Sequence, residues 1–191
     1  MRATEILMRE HEVILKVLDC LERLAERPQL DVQGARDALE FLTAFADTCH
    51  HGKEEQRLFP AMIAKGLPER AGPIAVMLHE HEEGRAAIAA MRGAVLAVEG
   101  GEGAAAATFA RVARGYVQLL RDHIAKENEI LFPMAVQILD PAEQAELVRA
   151  FDTIESGFEP GTHEGLVGKA RALSARLGVD CGGTLVRAEV A

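Results

Sequence analysis

His50-His51-Gly52-Lys53-Glu54-Glu55-Gln56-Arg57-Leu58-Phe59-Pro60 is the stretch on which the fold turns. A second version stands at His123-Ile124-Ala125-Lys126-Glu127-Asn128-Glu129-Ile130-Leu131-Phe132-Pro133. Alignment on Leu-Phe-Pro pairs His50 with His123, Lys53 with Lys126 and Glu54 with Glu127. Upstream, Glu10-His11-Glu12 pairs with Glu80-His81-Glu82. One helix-pair design has been used twice. In each copy a His and a Glu stand four residues apart, which puts both on one helix face, about 6 Å apart along the axis.

Outward from these stretches the chain reads as helices. The first is expected from Thr4 to Arg27, capped by Thr4 and closed before Pro28. Its seam, Leu7, His11, Ile14, Leu18 and Leu21, steps by four and three as a bundle helix does. The second starts near Asp31 and turns Leu39, Leu42, Ala46, His50, Glu54 and Leu58 to one side. Pro60 is expected to kink or interrupt it, and Gly66-Leu67-Pro68 to end it. The third, from Gly72-Pro73, carries Ile74, Met77, His81, Gly84, Ile88, Met91 and Val95, and Gly100-Gly101 breaks it. The fourth carries Phe109, Val112, Tyr116, Leu119, His123, Glu127, Ile130 and Met134. Asp140-Pro141 opens a fifth helix, and Thr162 is expected to cap a sixth that Gly178 closes. The tail from Val179 to Ala191 shows no clear period. The expectation is an all-α protein: an antiparallel up-down-up-down four-helix bundle over 1–139, then a C-terminal helical extension and tail over 140–191.

Composition agrees and excludes other classes. The 191 residues carry 21 basic and 30 acidic side chains, a net charge of −9, without a basic run. That argues against a nucleic-acid or membrane-surface partner. No apolar stretch is long enough to span a bilayer, and the charged start does not resemble a signal peptide. Cys20, Cys49 and Cys181 form no paired framework, which points to a reducing, cytoplasmic setting. With no Trp and a single Tyr, the core is expected to be aliphatic.

The chemistry lies in what interrupts the apolar seams. Four imidazoles (His11, His50, His81, His123) and two carboxylates (Glu54, Glu127) converge from four helices. Buried carboxylates facing each other repel, and cations between them relieve the repulsion. The set suits a two-metal site, for which iron, manganese, zinc and copper are all compatible.

The pattern His, then His-x-x-x-Glu, then His, then His-x-x-x-Glu, with Leu-Phe-Pro after each pair, resembles the hemerythrin-like (HHE cation-binding) domain family over about residues 5–139. The resemblance implies two iron ions in a non-haem centre with carboxylate and oxo bridges. His11, His50, His81 and His123 would be its imidazole ligands, and Glu54 and Glu127 its bridging carboxylates. Oxygen-storing hemerythrins have a further His one turn from the third-helix ligand, where this chain has Met77 and Arg85. What remains looks closer to bacterial di-iron proteins of the nitric-oxide response and iron–sulfur repair, although their N-terminal Cys-pair domain has no counterpart here. The implied function is binding of, or reaction with, oxygen, nitric oxide or peroxide in stress response or repair. The alternative is an oxygen- or iron-binding sensor or storage module.

Other residues carry simpler expectations. His51 and Glu55 form a rival pair in the first copy, but their counterparts Ile124 and Asn128 cannot ligate alike. His79 and His163 read as surface residues, Tyr116 as a packing residue within reach of the site, and Cys49 as a quiet thiol. Cys181 lies in the tail. Glu10, Glu12, Glu80 and Glu82 read as solvated, with one available to orient an imidazole. The helices over about 141–178 are a candidate docking element for a partner or a second copy.

Overall fold

The computed structural model describes residues 1–157 and 161–179, and no strand occurs among them. Cys181 and the tail from Asp180 onward lie outside the described residues. Helix α1 spans Ala3–Ala25. Thr4 is buried inside its first turn and does not cap it. The Glu5 carboxylate does so, accepting from the Arg2 backbone N–H at 2.9 Å.

Helix α2 covers residues 32–64 and starts as expected, with the Asp31 carboxylate accepting from the Gly34 N–H at 2.9 Å. It changes winding along its length: α over Val32–Phe41, π over Leu42–His51 and again over Glu54–Leu58, then α over Phe59–Ala64. The expected break at Pro60 does not occur. The Phe59 N–H bonds to the Glu54 carbonyl, five residues back rather than four. That wider turn accommodates a proline, which has no N–H to give and crowds the carbonyl four residues before it.

Helix α3 spans Gly72–Glu99 with Pro73 in its first turn. Helix α4 covers residues 105–138, with a π turn at Glu127–Leu131 placed before Pro133 as in the first copy. This extra residue per turn moves the seam by one position. Ile130, expected inside, is 53% exposed, and Met134 is only partly buried. Leu131 and Ala135 take their places in the core. Before the site the same helix buries Ala113 and Leu120, while Val112 and Leu119 are half-buried.

Helix α5 spans Pro141–Glu155, with Asp140 accepting from Ala142 and Glu143 N–H and Glu143 reaching back to Asp140 N–H. Helix α6 spans Thr162–Leu177. Thr162 is its first residue, not its cap. The left-handed Gly161 (φ +82°) precedes it and Gly178 (φ +66°) closes it. Gly178 and Val179 N–H return to the Ala175 and Ser174 carbonyls, the glycine stop that the sequence predicts.

The first four helices close a ring, α1 against α2 and α4, and α3 against α2 and α4. Along the bundle the core falls into two apolar clusters. One contains Ile14, Leu18, Leu21, Phe45, Met91 and Phe109; the other contains Leu7, Leu58, Phe59, Met77, Leu131 and Phe132. On every helix the His and Glu of the motif lie between the two. Helix α6 contributes Leu166, Val167, Ala170 and Leu173 to the first cluster, and α5 contributes Leu147 and Phe151 to the second. The apolar faces of the C-terminal helices are therefore buried within the chain. The large exposed apolar residues, Met1, Met8, Val76, Leu96 and Ile130, all lie elsewhere among the described residues. Among the described residues no helix is long and apolar enough to cross a membrane.

Candidate metal centre

The polar layer between the clusters brings all six expected residues together. His11, His50, His81, His123, Glu54 and Glu127 are each buried to within 1% of full. The imidazole Nε2 atoms point inward. His11 Nε2 lies 3.2 Å from Glu127 Oε2, His123 Nε2 3.4 Å from the same oxygen, and His50 and His81 Nε2 each 3.6 Å from a Glu54 oxygen. His81 and His123 Nε2 face each other at 3.2 Å.

Two groups of donor atoms lie mutually within 4.8 Å: His11, His50, Glu54 and Glu127, and His51, His81, His123 and Glu54. Glu54 is common to both. Both oxygens of Glu54 and of Glu127, and the Nε2 atoms of His11 and His50, are buried without a hydrogen-bond partner. Unsatisfied buried polar atoms are costly and rare, and this many in one layer fit a site built for cations. The imidazole-and-carboxylate donor set fits iron among other first-row metals.

The outward nitrogens are all engaged, and the engagement repeats. His50 Nδ1 meets Glu10 Oε2 at 2.8 Å, and His123 Nδ1 meets Glu80 Oε2 at 2.9 Å. Lys53 Nζ donates to Glu10, and Lys126 Nζ to Glu80. His11 Nδ1 meets Asn128 Oδ1 at 2.9 Å, and His81 Nδ1 meets Glu55 Oε1 at 2.7 Å. Phe132 stacks on His11 at 5.5 Å, and Phe59 on His81 at 6.0 Å. The Phe and Asn/Glu contacts run from each copy to the other, so the halves orient each other's imidazoles. Carboxylates and amides at Nδ1 set the ring orientation and raise the basicity of Nε2.

Electrostatics follow from burial. Desolvation, then the neighbouring Glu127, pushes the Glu54 carboxyl well above the ordinary range, and desolvation raises Glu127 as well. Desolvation lowers His11, His50 and His51, and brings His123 down to about 3. Neutral imidazoles are the metal-binding form.

Several residues went unassigned in the sequence. Glu10 and Glu80, read as solvated with one available to orient an imidazole, are both largely buried and each orients one, whereas Glu82 is exposed. Glu55 serves His81, not His51. Its repeat partner Asn128 does the same for His11, a match that the alignment of the two copies already held. His79 is exposed and pairs with Glu83. His163, expected at the surface, is half-buried, with its ring 4.9 Å from Phe45 and Nε2 4.0 Å from Glu10. Tyr116 is buried in the first cluster, and the site imidazoles take their Nδ1 partners from other residues. Burial pushes the Cys49 thiol up to about 12, in keeping with a quiet role.

The copies differ around their lysines. Lys53 is fully buried and reaches Glu155 of α5 at 2.5 Å as well as Glu10. Lys126 has a side chain 36% exposed. Lys53→Met takes the ammonium away from the buried Glu10 and leaves it only the His50 imidazole, and is expected to cost about 3–5 kcal/mol. Lys126→Met is expected to cost about 0–1 kcal/mol. Denaturant unfolding of both variants checks this, and equal losses contradict it.

This constellation on a four-helix bundle defines a cation-binding helical protein. The profile of the hemerythrin HHE cation binding domain matches residues 2–135, and the chain belongs to that family. An uncharacterised protein of Mycobacterium tuberculosis is 26% identical over 186 residues, covering 93% of this chain and 71% of that protein. The iron–sulfur cluster repair protein DnrN of Neisseria gonorrhoeae is 45% identical over 87 residues, 44% of this chain and 54% of DnrN. The iron–sulfur cluster repair protein YtfE of Salmonella newport is 32% identical over 131 residues, 65% of this chain and 57% of YtfE. The chain thus spans little more than half of the repair proteins it matches. No solved structure matches it.

Proposed function

We propose that this is a non-haem di-iron protein that binds or reacts with oxygen, nitric oxide or peroxide, in stress response or iron–sulfur cluster repair. His11, His50, His81 and His123 are assigned as imidazole ligands, and Glu54 and Glu127 as bridging carboxylates. The observation that carries the reading is the set of inward-facing Glu54 and Glu127 oxygens, buried and without hydrogen bonds among four Nε2 atoms. The similarity to DnrN and YtfE supports the repair setting.

The chain's own residues prepare the site. Glu10, Glu80, Glu55 and Asn128 hold the rings so that Nε2 faces inward. Phe59 and Phe132 pack over His81 and His11 and, with the two apolar clusters, keep bulk water away. Bound iron would supply Lewis acidity and a change of redox state toward a small ligand.

Metal analysis of freshly purified protein, with absorption spectra before and after azide, tests the assignment. Two irons per chain with oxo-bridge and azide charge-transfer bands are expected; zinc alone, or no metal, overturns it. Turnover is tested by peroxide and nitric-oxide consumption, which His123→Ala is expected to abolish. Equal consumption by the two proteins removes the catalytic reading.

A further inference from the structure

The two halves of the site repeat their ligand sets, but the first copy adds a buried imidazole, His51, where the second has Ile124. His51 is 5% exposed and lies inside the polar layer. Its ring stacks on His81 with centroids 3.8 Å apart and planes 12° apart, and meets His123 edge-on at 5.7 Å. One ring nitrogen of His51 lies within 4.8 Å of donor atoms of His81, His123 and Glu54. We propose that His51 is a fifth imidazole ligand. One metal position then has three imidazoles, His51, His81 and His123, and the other has two, His11 and His50. This rests on the di-metal assignment above and adds a ligand to it.

The reason lies in the backbone. In an α-helix, adjacent residues point well apart, and His51 would leave the seam that His50 occupies. Residues Leu42–His51 are wound as a π-helix, where a turn takes more residues and neighbours diverge less. Thr48 supports that winding, its hydroxyl donating to the Thr43 carbonyl five residues back at 2.9 Å. The equivalent stretch of α4, ending in Ile124, is ordinary α-helix. The first copy alone has both the wide turns and a second His to place with them.

The surroundings of His51 follow the pattern of the other four imidazoles. Its Nδ1 faces Asp47 Oδ1 at 3.4 Å. Asp47 is held by Arg85 Nε at 2.8 Å, and the same guanidinium holds Glu55 behind His81 at 2.6 Å. Arg85 stands one turn after His81, and from there clamps the acids behind both rings of the three-imidazole end.

The test uses the full chain loaded with Mössbauer-active iron. Wild type is expected to take two irons per chain and to show two quadrupole doublets of equal area, because the positions carry unequal imidazole sets. His51→Phe keeps a ring to stack on His81 but has no nitrogen, and His51→Gln is smaller and polar. Each is expected to lose one iron per chain or to merge the doublets, with added imidazole restoring the wild-type spectrum of His51→Gln. His79→Ala, an exposed site, should change neither. Two irons with wild-type doublets in the His51 variants reduce His51 to a packing residue and overturn the proposal. Two irons in a single doublet in wild type also overturn it, while leaving the di-iron assignment standing. A wild type that takes up no pair of irons overturns both. Apo-protein circular dichroism shows whether each variant folds, and the wild-type spectrum decides without any variant.

Discussion

Removing the metal with a chelator is expected to lower the thermal midpoint of the protein by about 8–16 °C. A ligand present at a thousand times its dissociation constant stabilises the folded state by about 4 kcal/mol. For a chain of this size, each kcal/mol moves the midpoint by about 2–4 °C. The source of the loss is specific. Without cations, the Glu54 and Glu127 oxygens and two inward Nε2 atoms stay buried with no hydrogen-bond partner. Differential scanning calorimetry of chelated and metal-reconstituted protein measures the gap. Coincident midpoints would mean that the polar layer is satisfied without metal.

The metal-free protein is expected to be most stable near pH 6.5, losing stability on both sides. Folding raises the Glu54 and Glu127 carboxyls above their unfolded value of 4.5 and lowers His11, His50, His51 and His123 below theirs of 6.5. Between those two values the unfolded chain holds protons on the four imidazoles, whereas the folded chain gives them up at His50, His51 and His123 and holds protons on the two carboxyls. The unfolded state binds more, so stability rises with pH, by about 1.4 kcal/mol per pH unit for each proton of imbalance. Above about pH 6.5 the imidazoles are neutral in both states and drop out. The carboxyls remain protonated only when folded, so stability then falls as pH rises through their folded pKa values. Bound metal holds both carboxylates ionised and removes the alkaline fall. Denaturant midpoints of the chelated protein, taken from about pH 5 to about pH 9, check both limbs. A metal-free protein that grows more stable above neutrality would show Glu54 and Glu127 ionised in the folded state.

The local order of the chain was sufficient for much of this. Seam residues such as Leu7, Leu18, Leu58 and Met91 are buried where the three- and four-residue steps place them. The Asp140-Pro141 start and the Gly178 stop act through backbone hydrogen bonds within a few residues, which is why they are readable without a fold. The six motif residues are legible for a related reason. Polar side chains on an apolar seam must meet at the bundle axis, and a repeat shows that the meeting is deliberate.

What escaped the sequence depends on winding and on neighbours from other helices. Ile130 leaves the core, and the helices run through Pro60 and Pro133, because single turns widen from α to π. An α-helical wheel has no means of showing that change. Glu10, Glu80, Glu55 and Asn128 look like surface residues on their own helices and become orienting groups only when a facing helix presents an imidazole. His51 depends on both effects. Composition, repeat and spacing alone determined a helical bundle with a polar, duplicated His/Glu layer. The tertiary structure alone decided which nitrogen of each ring faces inward and that His51 joins the layer, because ring orientation and burial are set by contacts between helices and by turns wider than the sequence period implies.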